Sequence, residues 1–559
     1  MRLTQRLPIL IIVVFTSLVL AKHVRFSLNE TAPLGRDWDF HVALSYVIHG
    51  CEFSYGKIIG WYNHDRSHSV HYPPLFYLLP AVLASTHRFT MFQSLYLSLS
   101  VWIVVLVWSV YGAGKSVGGD SWSGLAATLV AGVNPIVMHT EAFDLNLDFA
   151  TMAAVALAVR FFYRSNCLSK RGPTIILGLC AGIAFLIKPL SMVHLLPFLV
   201  AASLFPNASR VARPTVRFEN AMLCALVACV AASWFLVPLL PSFFAKIGQE
   251  GHIGWREVWD NTARYVWMLA FTPCSLIFAA GVVPGFAMTR KRDPAILPFL
   301  ISSVTALLFF SKMRTAALGY FYPFQIWVGL LWARWLGRWA EQKRNFLCFI
   351  LVLVCAVPLI VTGPGGRYRD LRFEEATEKD IGLIAEKLSG PNRGIDEHEV
   401  GYLLPGKGAV FTIRRGVFGS AVALARPGNP WPGILLWRED NVAVFCQDSM
   451  DAERIRSILA KKMLIVIEPQ EPLADLGECA DAWGKILSLV QHSRCKELEL
   501  PYRIYATPAV QSRYGLSATY IFQIFTRPDT PGPPCGDESI PIEGDTGGAF
   551  VNGTRWAGR

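Results

Sequence analysis

From Leu7 to Thr362 the sequence is a succession of apolar runs, each roughly 15–24 residues long, separated by short polar joints. A run near 20 residues crosses the ~30 Å hydrocarbon layer as a helix, which satisfies its own backbone hydrogen bonds where no water can. After Thr362 the runs stop, and the sequence reads like that of a soluble domain. Composition agrees: 53% of residues are hydrophobic and 17% charged, against roughly 45–50% and about 25% in soluble domains. The expected fold is a polytopic α-helical membrane protein with a small C-terminal α/β domain outside the cytosol. The expected boundary puts residues 1–362 in the membrane domain and 363–559 in the second.

Charge in the joints orients the spans. Arg2 and Arg6 precede the first run, Leu7–Ala21, and no A-x-A cleavage site follows it, so it reads as an uncleaved anchor. Further spans are expected at Phe92–Tyr111, Gly124–Met138, Phe149–Tyr163, Thr174–Ile187, Pro189–Phe205, Ala221–Phe244, Tyr265–Met288, Pro294–Phe310, Thr315–Leu336 and Phe346–Thr362. Alternate joints carry Arg160 and Arg164 with Lys170 and Arg171, Arg210 with Arg213 and Arg217, Arg290 with Lys291 and Arg292, and Arg334 and Arg338 with Lys343 and Arg344. The positive-inside rule makes these joints cytoplasmic. About eleven spans follow, with the N-terminus inside and the C-terminal domain outside; the host membrane is expected to be a bacterial inner membrane. "HYPPLFYLLPAVLAST", His71 to Thr86, is then an interfacial or re-entrant helix, because a crossing there would reverse every later sign. Residues 22–91 form a first outer loop.

A net charge of +11 reflects basic residues that flank membrane spans, and no zinc-type or RNA-binding signature points to nucleic acid. Cys446, Cys479, Cys495 and Cys535 fall in the C-terminal domain, where an oxidising compartment allows up to two disulfides in any of three pairings.

Chemistry-bearing residues gather at the outer joints. Asp37 and Asp39 stand at the N-terminus of the helix-forming "DFHVALSYVIHG", where helix polarity favours negative charge; capping is the plain reading for either alone. "HTEAFDLNLDF" places Glu141, Asp144 and Asp148 at the next outer joint. On the same face lie Lys188 in "FLIKPLS", and Lys312 with Arg314 in "FFSKMRTAALGYFYP". Cations at a non-cytoplasmic edge run against the charge bias. They either snorkel to headgroups or bind an anionic group such as a phosphate. Acids that accept a proton beside cations that hold a phosphate suit transfer from a lipid phosphate to a hydroxyl.

In order along the chain, "DWDFH", "YPPLFYLL", "NPIVMHTEAFDLNLDFA", "GIAFLIKP" and "SKMRTAALGYFYP" resemble the integral-membrane GT-C glycosyltransferases. The branch they resemble contains the dolichyl-phosphate-mannose protein mannosyltransferases and the lipid A aminoarabinose transferases. The resemblance implies an inverting hexosyl or pentosyl transfer from a polyprenyl-phosphate sugar to a lipid, glycan or protein acceptor. It implies a first-loop Asp as general base. Asp37 is followed by Trp38 and Asp39 by Phe40, where such families usually have Asp-Glu, so both acids stay candidates; the acid-to-glycine separation to Gly50 favours Asp37. Asp148, Lys188, Lys312, Arg314 and Tyr320 are implied substrate-binding residues. No cofactor is required, and a divalent ion held by Asp37, Asp39, His64, His68 and His71 stays open.

The tail shows no Walker, Rossmann or nucleophile-elbow pattern. "EEATEKDIGLIAEKLSG" reads as a helix and "GAVFTI", "NVAVFC", "KMLIVIE", "YRIYATP" and "TYIFQIFTRP" as strands; the last thirty or so residues, rich in Pro and Gly, are expected to be loose. Asn29-Glu-Thr and Asn552-Gly-Thr are sequons, meaningful only in a eukaryotic host. The rival classes are a transporter or flippase, and an inactive assembly factor. The first predicts internal repeats and ionisable groups at the membrane midplane; neither pattern is present. The second draws on the absent Asp-Glu pair. The Trp-Trp-Asp element of oligosaccharyltransferases is also absent.

Overall fold

A computed structural model describes residues 3–29, 44–45, 48–64, 73–133, 147–205, 213–250, 255–271, 275–290, 293–313, 318–361, 371–373, 400–404, 442–444, 452–469, 480–506 and 519–526. By contacts the chain divides into two compact units. One holds Met1–Asn29 and Glu52–Arg367, the other Tyr368–Arg559, and the stretch between Asn29 and Glu52 is shared out between them.

In the first unit the helices are α1 (Leu3–Asn29), α2 (Tyr55–His64), α3 (Leu75–Ala84), α4 (Met91–Gly118), α5 (Ser121–Ala131), α6 (Leu147–Arg164), α7 (Arg171–Ile187) and α8 (Ser191–Leu204). Then come α9 (Pro214–Glu250), α10 (Trp255–Phe271), α11 (Ser275–Arg290), α12 (Leu297–Ser311), α13 (Phe324–Leu336) and α14 (Glu341–Val361). Local sequence sets several of their ends. Thr90 and Gln93 cap α4 reciprocally, each side chain bonding the other's backbone N–H at 3.1 Å. Gly119, at φ +90°, stops α4 in the left-handed conformation that glycine adopts without strain. Asp120 then starts α5, accepting from the N–H groups of Trp122 and Ser123 at 2.8 and 3.0 Å.

The centre of the unit is α4, which packs on α5, α6 and α13, with α13 also packed on α5. Nearly all of α5 is buried. Small residues permit the close approach: a Cβ on Gly329 of α13 would stand 2.9 Å from the Ala127 carbonyl oxygen of α5. Outside this centre the pattern inverts. Leu10 and Val13 of α1, Phe218 and Val230 of α9, and Phe349 and Val354 of α14 are exposed apolar side chains. An apolar rim of this extent around a packed centre fits a lipid surround, not water. Among the described residues three segments are long and apolar enough to cross a membrane: Arg6–Arg25, Gln93–Gly118 and Pro214–Leu239.

α3 covers the sequence expected to stay out of the crossing count. It opens after Pro73 and Pro74 and has 10 residues, a rise of about 15 Å, half the hydrocarbon thickness. One expectation is corrected. Tyr265–Met288 was assigned a single span, and the structure has two helices there, α10 and α11. Pro273 lies between them; it lacks an N–H and disfavours helix at the residue before it.

The second unit holds a six-stranded sheet in the order β1-β5-β6-β4-β2-β3. Its strands are β1 (Leu371–Phe373), β2 (Val400–Leu404), β3 (Val442–Val444), β4 (Met463–Pro469), β5 (Cys495–Ala506) and β6 (Thr519–Thr526). β2 runs parallel to β3 and β4; the other pairings are antiparallel. α15 (Ala452–Leu459) and α16 (Ala480–Ser493) supply Ile458, Trp483 and Val490 to a core with Leu464, Val466 and Phe525 of the sheet. Arg494, buried, donates to the carbonyls of Leu459 and Lys461 at 2.6 Å, which satisfies the C-terminal end of α15. Four of the expected strands coincide with β3, β4, β5 and β6. β1, β2, α15 and α16 were not anticipated; "GAVFTI" and "EEATEKDIGLIAEKLSG" lie outside the described residues. Cys495 is disulfide-bonded, and its partner lies outside the described residues.

Candidate functional site

The dipeptide Lys188-Pro189 builds one half of the site. Proline disfavours helical geometry at the residue before it, so α7 ends at Ile187 and Lys188 is its extended C-cap, at φ −154° and ψ 117°. Its backbone N–H still closes the helix on the Ala184 carbonyl at 3.0 Å, leaving the side chain at the helix mouth. The C-terminal end of a helix favours a cation, and the N-terminal end an anion. Asp148 supplies the anion, in the first turn of α6. The Lys188 ammonium donates to the Asp148 carboxylate across a sequence separation of 40.

Both residues are buried, at 6% and 7% exposure. Drying two charges costs several kcal/mol per ion, which the pair recovers only when well matched and supported by further contacts. Two supports are visible. The Lys188 Nζ lies 4.8 Å from the ring centroid of Tyr320, a cation–π contact. Gly319, just before it, meets Asp148 so closely that any Cβ would collide with the carboxylate. Gly319 and Tyr320 belong to a 3-10 turn, Leu318–Phe321, which leads into α13.

That turn is gripped from three sides. The Nε2 of His194 on α8 lies 2.7 Å from the Tyr320 carbonyl oxygen. The Tyr320 ring stacks on Phe310 of α12 at 5.0 Å, and Phe321 meets Tyr265 of α10 edge-on at 4.7 Å. One turn of helix before Tyr265, the Asn261 amide donates to the carbonyls of Met313 and Ser311 at 2.8 and 3.3 Å. It thereby holds the end of α12 on both sides of Lys312, which is exposed.

Three of the residues named from sequence therefore converge: Asp148, Lys188 and Tyr320. Lys312 stands at the C-cap of α12, and no contact with the other three is described. Asp37, Asp39 and Arg314 lie outside the described residues, as do His68, His71 and the side chain of His64. Among the described residues no group of three His, Cys, Asp or Glu side chains is placed to hold a metal. Sequence reasoning passed over His194, Gly319 and Asn261. A histidine in the apolar "SMVHLLPFLV" and a glycine beside the tyrosine of "LGYFYP" were the available signals.

A family model described as dolichyl-phosphate-mannose-protein mannosyltransferase matches residues 71–235, a stretch that contains Asp148, Lys188 and His194. No curated protein matches in sequence. The fold resembles that of ArnT from Cupriavidus metallidurans bound to undecaprenyl phosphate, at TM-score 0.55 and 12% identity, covering 91% of this chain and 97% of that one. The apo structure of the same protein gives TM-score 0.54 at 12% identity, with the same coverage. In fold over most of its length, and in sequence over residues 71–235, the chain resembles the integral-membrane glycosyltransferases of the GT-C class.

Proposed function

We propose that the chain moves a sugar from a polyprenyl-phosphate donor to a hydroxyl acceptor on the non-cytoplasmic face of the membrane. The observation that carries this reading is the buried Asp148–Lys188 pair under Tyr320, at the ends of helices in a membrane bundle. A dry ion pair at a helix mouth is costly to keep. A site that must hold an anionic headgroup at a fixed place gives it a purpose.

In the proposed reaction the acceptor oxygen bonds to the anomeric carbon as the bond from that carbon to the phosphate oxygen breaks on the opposite side, so the configuration inverts. The hydroxyl proton passes to Asp37 or Asp39, with Asp37 favoured, and the electron pair leaves with the polyprenyl phosphate. Lys312, exposed at its helix end, meets the phosphate directly. Arg314 is two residues along the same segment. Lys188, held by Asp148 and Tyr320, offers the positive end of a fixed ion pair to the charge developing on the leaving group. A monophosphate leaving group carries less charge than a diphosphate, so the reading requires no metal, and a divalent ion stays compatible with it. The acceptor is a lipid, glycan or protein.

Sidedness follows the joint charges: about eleven spans, an inner N-terminus and an outer C-terminal unit, in a bacterial inner membrane. The disulfide at Cys495 supports that placement, since disulfides persist in oxidising compartments. The test is transfer in proteoliposomes together with lipid analysis of a deletion strain. Asp37→Asn should abolish transfer at normal expression, and the deletion strain should accumulate a polyprenyl-phosphate sugar. Full transfer by both Asp37→Asn and Asp39→Asn, or an unchanged lipid pool, would sink the proposal.

A further inference from the structure

His194 has no part in the reaction above, yet it is 2% exposed and lies between structural elements that the site needs fixed. A carbonyl oxygen only accepts, so the 2.7 Å contact with Tyr320 requires the proton on His194 Nε2. Nδ1 then carries a lone pair, and among the described residues it finds no partner. The ring is held by Phe310 and Phe324, each with its centroid 5.5 Å away. The backbone is fixed too: the Ser302 hydroxyl donates to the His194 carbonyl at 2.8 Å. A histidine locked at backbone and ring presents one donor, and that donor meets the carbonyl of the residue whose ring covers Lys188.

We infer that His194 is a positioning residue for the donor-phosphate site. Its Nε2–H pins the Leu318–Phe321 turn, so that the Tyr320 ring stays on the Lys188 ammonium and Gly319 stays on Asp148. This inference rests on the proposed function for its consequence, donor-lipid binding, but not for the pinning itself. An apolar ring of similar size would fill the space and lose the donor. Glutamine keeps a terminal N–H at similar reach.

The experiment compares wild type, His194→Phe and His194→Gln, purified in nanodiscs. Two readouts are taken: amide exchange across residues 318–325, and binding of undecaprenyl phosphate. The expected result for His194→Phe is exchange at least tenfold faster across that segment and binding at least tenfold weaker, at a melting temperature close to wild type. His194→Gln should return both to within about threefold of wild type. Unchanged exchange in His194→Phe, or equal loss in the two variants with both folded, overturns the inference. If wild type does not bind undecaprenyl phosphate while exchange follows the expected order, the pinning stands and the donor assignment falls.

Discussion

Among the described residues of the membrane unit a carboxylate is buried at each of two places, and they are built differently. Asp148 has a single described cation, Lys188, and both side chains are about nine-tenths buried, at 10% and 8% exposure. Asp293 precedes α12 in the basic joint and takes two cations, Arg334, with Nε at 3.1 Å, and Arg338. Those arginine side chains are 26% and 31% exposed. At Asp293 the excess positive charge reaches water, and the cluster ties α11, α12 and α13 together at a joint where basic residues belong for topological reasons. At Asp148 the pair with Lys188 is dry and covered by an aromatic ring. The first arrangement is a clasp. The second holds a charge in place for something else.

The largest expected effect is on the dry pair. Lys188→Met removes the described cation from the buried Asp148 and should cost about 3–5 kcal/mol in denaturation in detergent. Adding Asp148→Leu should recover most of that loss, since an apolar pair of similar volume is often neutral or better. If the double variant is no more stable than the single, the pair is wetter than its burial indicates. Asp293→Asn comes next, at about 1–3 kcal/mol, the range for losing hydrogen bonds to a charged group. Its arginines can turn to solvent, and sugar transfer should survive in the folded fraction. A loss at Asp293 equal to that at Lys188 would erase the distinction between clasp and site.

Lys312→Ala should leave stability within about 0.5 kcal/mol, as exposed substitutions usually do. Undecaprenyl-phosphate affinity should fall about tenfold, the loss of one charge-assisted contact. Unchanged affinity would remove Lys312 from the phosphate site. The smallest effect concerns a third acid, Glu468 of the sheet. Burial first, then the neighbouring Glu499, raises its carboxyl above the ordinary 4.5, with Lys496 opposing. A raised carboxylic pKa means that the folded state holds the proton more tightly than the unfolded one. The associated stability is present below pH 4.5 and is lost as pH climbs through the folded value. Glu468→Gln should therefore flatten the decline in the melting temperature of this unit above pH 4.5. An unchanged slope would mean that the carboxylate is solvated.

Much of the membrane unit could be read residue by residue, because its signals are local. Apolar length marks the helices, Pro74 and Gly119 mark ends, and the Lys188-Pro189 dipeptide fixes one cation at a helix mouth. Where local signals conflicted, the reading erred: the hydropathy of Tyr265–Met288 is continuous, whereas one described helix ends at Phe271 and the next begins at Ser275. In the C-terminal unit β-rich runs exposed β4 and β6, whereas β2, with a glycine inside "VGYLL", gave too weak a pattern.

The sequence by itself determined the class of protein, the ends of several helices and the charges placed there, since each depends on a run of neighbours along the chain. Only the tertiary structure decided that Asp148, Lys188 and Tyr320 meet, that Gly319 must lack a side chain, and that His194 holds the turn. Helices apolar on every side do not announce which face meets which neighbour. That choice is made by small residues and side-chain fit between segments far apart in the sequence.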